Sequence, residues 1–163
     1  MFDDVSLSAK KDLKSLKEES LKLEEKFTKS MDAVIKKQEE IQSSVTDLKS
    51  RSMRDNLIFS GIAEDRNEDC EKVLRDFLQR KLHVDYDISF ERVHRMGKYR
   101  EYAERPRNIV AKFSFYKDRE HVRLLAPRRL KGSRYWVNEQ YPAEVEERRK
   151  KLYPVMRQAR ADH

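Results

Sequence analysis

Residues 107–115 read Arg107-Asn108-Ile109-Val110-Ala111-Lys112-Phe113-Ser114-Phe115. Ile109, Ala111, Phe113 and Phe115 recur at every second position, the period of a strand with one face against a core. Working outward, Asn56-Leu-Ile-Phe-Ser-Gly-Ile62 is a short apolar strand ending at a glycine. Asn67 is the expected N-cap of a first helix, with Glu68, Asp69 and Glu71 at its dipole-positive end. Val73, Leu74, Phe77, Leu78 and Leu82 form the buried stripe of that helix. Ile88 to Met96 alternates as a second strand. Val122, Leu124, Leu125 and Ala126 lie on a second helix, expected to stop at Pro127. Tyr135-Trp136-Val137 opens a fourth strand.

This β-α-β-β-α-β order over residues 54–140 is the split arrangement of ferredoxin-like and RRM folds. RRM domains stack bases on aromatic rings of the outer sheet face. With Ile109, Ala111, Phe113 and Phe115 facing the helices, the outer face shows Asn108, Val110, Lys112 and Ser114. On the first strand Leu57 and Phe59 point inward, Ile58 and Ser60 outward. The stacking positions then hold Ile58, Val110 and Lys112, none aromatic. Shifting the register by one residue would expose two phenylalanines and bury Lys112, which is costly. Nucleic acid bound here would be held through phosphate, with little base readout.

Residues 5–53 lack glycine, proline and tryptophan. Their apolar residues fall at alternating steps of three and four, the a/d seam of a coiled coil. The first half of the seam is Leu13, Leu16, Leu23 and Phe27; the second is Met31, Val34, Ile41, Val45 and Leu48. Joining the halves needs four extra residues between Phe27 and Met31, a stutter that locally unwinds a supercoil. Fully helical, the segment spans about 70 Å, too long to pack along one small domain, so self-association is expected. Ser20, Gln38 and Ser52 occupy a positions. The pattern alone leaves dimer and trimer open.

Charge separates the two parts. The chain of 163 residues carries a net charge of +7, with 37 basic and 30 acidic residues. Residues 1–53 hold 11 of each sign, so the excess lies in residues 54–163, with 26 basic and 19 acidic. Residues 92–134 alone hold 14 basic and 4 acidic residues. A basic domain behind a neutral stalk suits a polyanionic partner. The stretch Arg95 to Arg107 interleaves Arg95, Lys98, Arg100, Arg105 and Arg107 with Tyr99 and Tyr102. Arginine forks match phosphate oxygens, and tyrosines can stack on splayed bases. Arg128, Arg129, Lys131 and Arg134 follow the second helix. Residues 141–163 read as a charged terminal helix starting at Pro142, carrying Arg148-Arg149-Lys150-Lys151 and expected to kink or break at Pro154.

Other function classes find little support. Three glycines exclude glycine-rich phosphate loops, and one cysteine excludes a disulfide scaffold or an intrachain thiolate zinc site. Asp65-Arg-Asn67-Glu-Asp69 resembles the start of an EF-hand loop but lacks its glycine and final glutamate. The four histidines show no metal spacing, no nucleophile–base signature is present, and no cofactor is expected. The chain reads as a non-enzyme. No run reaches the length of a membrane span, and the start Met1-Phe2-Asp3-Asp4 is acidic where a signal peptide is basic.

Several stretches together resemble a known family. Arg54-Asp-Asn-Leu-Ile-Phe-Ser-Gly61, His94-Arg95, Arg105-Pro-Arg-Asn-Ile-Val-Ala-Lys-Phe113 with Lys117-Asp-Arg-Glu120, and Glu147-Arg148-Arg149 recur in order behind a coiled coil. In this they resemble the RNA-binding first-open-reading-frame protein of LINE-type non-LTR retrotransposons. The resemblance implies an α+β chain: a long N-terminal coiled-coil helix (5–53, oligomerisation), an RRM-like domain (54–140) and a C-terminal helical segment (141–163) that starts a further domain. It implies a homotrimer, with a dimer as second choice. It implies binding of single-stranded RNA, with single-stranded DNA as a further ligand, nucleic-acid chaperone activity, and residence in cytoplasmic or nuclear ribonucleoprotein particles. By position, Arg54, Arg95, Lys98, Arg105, Lys112, Arg128, Arg148 and Arg149 would contact nucleic acid. Arg100, Arg107 and Arg129 join them from the basic clusters. Two features depart from the family: Ile58 stands where members can hold a basic residue, and the family's C-terminal domain continues into strands where this sequence stops at His163. A second class, a structural coiled-coil adaptor with a basic head and no nucleic-acid role, is the alternative.

Overall fold

The computed structural model describes residues 2–162. The protein is α+β, with four helices and a four-stranded antiparallel sheet. Helix α1 runs unbroken from Phe2 to Met53, through the Phe27–Met31 stretch where a stutter is expected. Asp3 and Asp4 in its first turn and Arg51 in its last suit the helix dipole. None of its residues is buried, and its seam leucines stand exposed along the single chain.

The chain divides into two compact units, and the boundary falls between Val45 and Thr46, inside α1 rather than at its end. The last turns of α1 therefore count with the second unit. Within that unit, Lys49 Nζ lies 3.6 Å from Glu144 Oε1.

In the second unit the elements follow as β1 (Asn56–Ser60), α2 (Cys70–Leu82), β2 (Phe90–Arg95), β3 (Ile109–Phe113), α3 (Tyr116–Arg129), β4 (Trp136–Glu139) and α4 (Ala143–Ala161). The strand order is β2-β3-β1-β4. One face of the sheet packs on α2 and α3. Leu57 and Phe59 of β1 and Ile109, Ala111 and Phe113 of β3 meet Leu74, Phe77, Leu78 and Leu82 of α2 and Val122 and Ala126 of α3. This single core stabilises the sheet by apolar burial. The alternation at residues 109–113 is the inward face of β3, as its period requires.

Several local expectations change. The N-cap of α2 is Asp69, not Asn67: Asp69 Oδ1 accepts from the Glu71 and Lys72 amides at 3.1 and 3.2 Å. Phe115 does not join the inward row. The strand ends at Phe113, and Phe115 caps α3 with its ring exposed. Pro127 does not stop α3, which continues to Arg129. It falls in the last turn, where its missing amide and its ring leave the Arg123 carbonyl without a helical partner but only two residues follow it in the helix. Pro142 is the residue before α4 rather than its first, and its carbonyl accepts from Val145 and Glu146. Helix α4 runs through Pro154 to Ala161 without interruption.

Gly61 closes β1 with φ +87°. A side chain there would run into the carbonyl oxygen of Arg134, in the segment leading into β4. Glycine is required both by the positive φ and by this approach of two backbones.

Candidate nucleic-acid interface

The outer face of the sheet follows from register. Ile58 pairs with Val110 and with Asn138, and Ser60 pairs with Trp136. Lys112 pairs with Arg92, and His94 with Val110. Residues paired across antiparallel strands share a face. The outer face therefore carries Arg92 and His94 of β2, Val110 and Lys112 of β3, Ile58 and Ser60 of β1, and Trp136 and Asn138 of β4.

Arg95 is not on it. It pairs with Ile109, an inward residue, so its side chain enters the helix-side face. There it is 5% exposed. Its Nε donates to Glu68 Oε1 at 2.6 Å and its Nη2 to Glu68 Oε2 at 3.1 Å. Nη1 donates to the carbonyls of Ile62 (2.9 Å) and Arg107 (2.6 Å), and Nη2 to that of Ala63 (2.6 Å). A guanidinium so enclosed ties the β1–α2 connection to β2 and has no donor to offer a ligand. Arg107 is similarly committed. Its Nε donates to Glu64 Oε1 at 2.7 Å, its Nη1 to the Gly97 carbonyl at 2.7 Å, and its guanidinium lies over the Tyr99 ring at 5.6 Å. Hydrogen bonds from Arg107, outweighing burial, hold the Glu64 carboxyl below its ordinary value. For Glu68 burial pushes upward, but the bonds from Arg95 and the Asp65 amide prevail and lower it. Arg95, with all five donors used, and Arg107, a quarter exposed, are the base on which the 96–108 segment stands.

The remaining expected contacts are dispersed. Lys112 Nζ lies 2.6 Å from Glu91 Oε2, beside the bulge between Phe90 and Arg92. Arg54 lies over the Tyr116 ring at 5.3 Å. Arg128 and Arg129 project from the last turn of α3, where cations suit the dipole. Lys98 and Arg148 are exposed. Arg149 stacks on Tyr141 at 4.2 Å.

Two expected residues do meet. Arg100 and Arg105 line an open groove of about 1030 Å³ beside the outer sheet face, together with Arg134, Tyr99, Trp136 and Asn138. Glu101 and Glu104 also line it, and Glu64, paired to Arg107, sits at its edge. A second hollow of about 450 Å³ shares Ser60, Asn108 and Asn138 with the first and is closed by Tyr141, Arg149 and Tyr153. The two hollows adjoin along Ser60, Asn108 and Asn138.

Sequence reasoning did not place Trp136, Arg92 and His94 on the outer sheet face, and named Arg134 only as part of the basic cluster after the second helix. The signal was present: Tyr135 and Val137 pack against the core, so Trp136 between them must face out. For His94, burial and the neighbouring Arg92 charge lower the pKa, so the ring is neutral near pH 7 and offers hydrogen bonds rather than charge.

Among the described residues no group of histidine, cysteine or carboxylate side chains could hold a metal ion, and no helix is long and apolar enough to cross a membrane. The chain matches no model of a known protein family and no curated protein sequence significantly.

Proposed function

We propose that this protein is an oligomeric, largely sequence-independent binder of single-stranded RNA with nucleic-acid chaperone activity, packaging RNA into ribonucleoprotein particles. Its head is RRM-like and its stalk a coiled coil, a homotrimer first and a dimer second, as in the first-open-reading-frame proteins of LINE-type retrotransposons. One observation supports this reading most: the open groove beside the outer sheet face, lined by Arg100, Arg105 and Arg134 with Glu64, Glu101 and Glu104 and by the small polar side chains Ser60, Asn108 and Asn138. Arginine forks there can take phosphate oxygens one at a time. Single-stranded DNA fits the same chemistry. Several heads on one stalk raise one another's local concentration along a strand, so that many weak contacts hold a long RNA and still exchange locally. No catalytic role is proposed.

Salt-dependent titration of a labelled single strand tests this reading. Binding that weakens steeply with salt and varies little with sequence supports it, because released counterions set the slope. Salt-insensitive or strongly sequence-selective binding refutes it. The pairing of Arg95, Arg107 and Lys112 with carboxylates favours the adaptor reading, in which basic residues hold the head together. Nucleic acid copurifying with the protein separates the two.

A further inference from the structure

Trp136 is 65% exposed on the outer sheet face, although a tryptophan of a small domain normally buries most of its surface. Its neighbours in sequence account for the direction but not for the exposure. Among the described residues, guanidiniums lie over Tyr99, Tyr116, Tyr135, Tyr141 and Phe90, and no cation or ring lies over Trp136. Its indole is an open π-face on the wall of a groove that also holds Arg100, Arg105 and Arg134. Asn138 stands two positions further along β4 on the same face, about 7 Å away at the rise of a strand. Asn138 and Asn108 are exposed, and no bond to another protein group is assigned to either side-chain amide.

From this arrangement we infer that Trp136 is a base-stacking site: one unpaired base of a single strand lies on the indole, while Asn138 and Asn108 meet its edge and the surrounding arginines take the flanking phosphates. This rests on the nucleic-acid reading above and deepens it. The platform sits on the edge strand β4, whereas the central strands hold Ile58, half-buried, and Val110, buried, at the positions where rings would be expected. The site would discriminate bases from bare negative charge, and unpaired from paired strands, since a base inside a duplex has no free face. Duplex opening follows as a consequence, because a strand held on the indole cannot re-pair at that nucleotide.

The chain contains one tryptophan, so its fluorescence reports this site alone. The full chain is titrated with short oligouridine and, separately, with inorganic polyphosphate, each followed by Trp136 emission and by an independent measure of binding. Expected are quenching by oligouridine in proportion to occupancy and no quenching by bound polyphosphate. Trp136→Ala should weaken oligouridine binding about tenfold, within the range of one stacked base, and leave polyphosphate binding and thermal stability unchanged. Trp136→Phe should restore most of the loss. Oligouridine binding without quenching, or with Trp136→Ala within twofold of the native chain, overturns the stacking site and spares the broader reading. Absence of oligouridine binding at low salt overturns both.

Discussion

Arg95 donates to both carboxylate oxygens of Glu68, and both side chains are nearly sealed from solvent. The pair holds the β1–α2 connection against β2 at the root of the 96–108 segment. Removing one partner leaves the other charge buried and alone, which costs about 3–5 kcal/mol. Arg95→Ala should therefore lower the thermal midpoint strongly. The fraction that remains folded should bind RNA with nearly native affinity. A variant of native stability and lost affinity would return Arg95 to the interface.

Arg100, Arg105 and Arg134 behave in the opposite way. They line the groove, and their side chains are exposed. Each alanine substitution should change stability by less than about 0.5 kcal/mol, as for surface positions in general. Each should also weaken RNA binding at all sequences alike and reduce the salt slope by roughly one phosphate contact. Arg128→Ala, outside the groove lining, serves as the comparison. Equal losses at Arg128 and Arg105 would mean diffuse charge attraction, not a groove.

Acid should loosen the head. Bonds from Arg107 lower the Glu64 pKa; bonds from Arg95 lower that of Glu68 against the effect of burial. Burial likewise opposes the lowering at Glu139, where bonds from Arg119 and Tyr141 prevail. A carboxylate whose folded pKa lies below its ordinary 4.5 contributes stability that is fully present above that value. The contribution is lost as pH falls through the lowered folded value. Thermal midpoints should hold steady down to about pH 5 and decline below it. Glu64→Gln should lower the midpoint at neutral pH and flatten the acid decline. A decline of native steepness in that variant would assign the acid sensitivity elsewhere.

The order of strands and helices was legible because the inward rows are short and strict. Leu57 with Phe59, and Ile109 with Ala111 and Phe113, have no competing assignment that keeps Lys112 out of the core. The ends of elements were less legible. Phe115 continues the alternation in sequence, yet the chain turns into α3 one residue earlier, and periodicity does not record where a strand stops. Pro127 and Pro154 look like helix stops, yet both helices run through them. Near Pro127 the packing of Val122 and Ala126 on the core holds α3, whereas residues 151–162 around Pro154 are all exposed and nothing in the structure explains the continuation. The interface was read from charge, and charge does not reveal direction. Arg95 and Arg107 belong to the same basic stretch as Arg100 and Arg105, and only the pairing of Arg95 with Ile109 and the position of Glu64 and Glu68 separate them. Those carboxylates lie about thirty to forty residues away in sequence, beyond the reach of any local pattern.

The exposed seam of α1 gives the last prediction. Leu16, Leu23, Ile41 and Leu48 are all more than half exposed on the single chain, on a helix with no buried residue. Side chains of this kind at a/d spacing gain stability by entering the holes of a second and third helix. Replacing Leu16 and Ile41 together with aspartate places charges in that seam and should reduce the solution mass to that of one chain, measured by light scattering. The second unit holds its own core, so its cooperative melting should persist. Affinity for an oligonucleotide short enough to fill one head should stay native, whereas affinity for a long RNA should fall at least tenfold, since heads no longer share one strand. A native mass in the double variant would place self-association elsewhere. A monomer with undiminished grip on long RNA would show that each head acts alone.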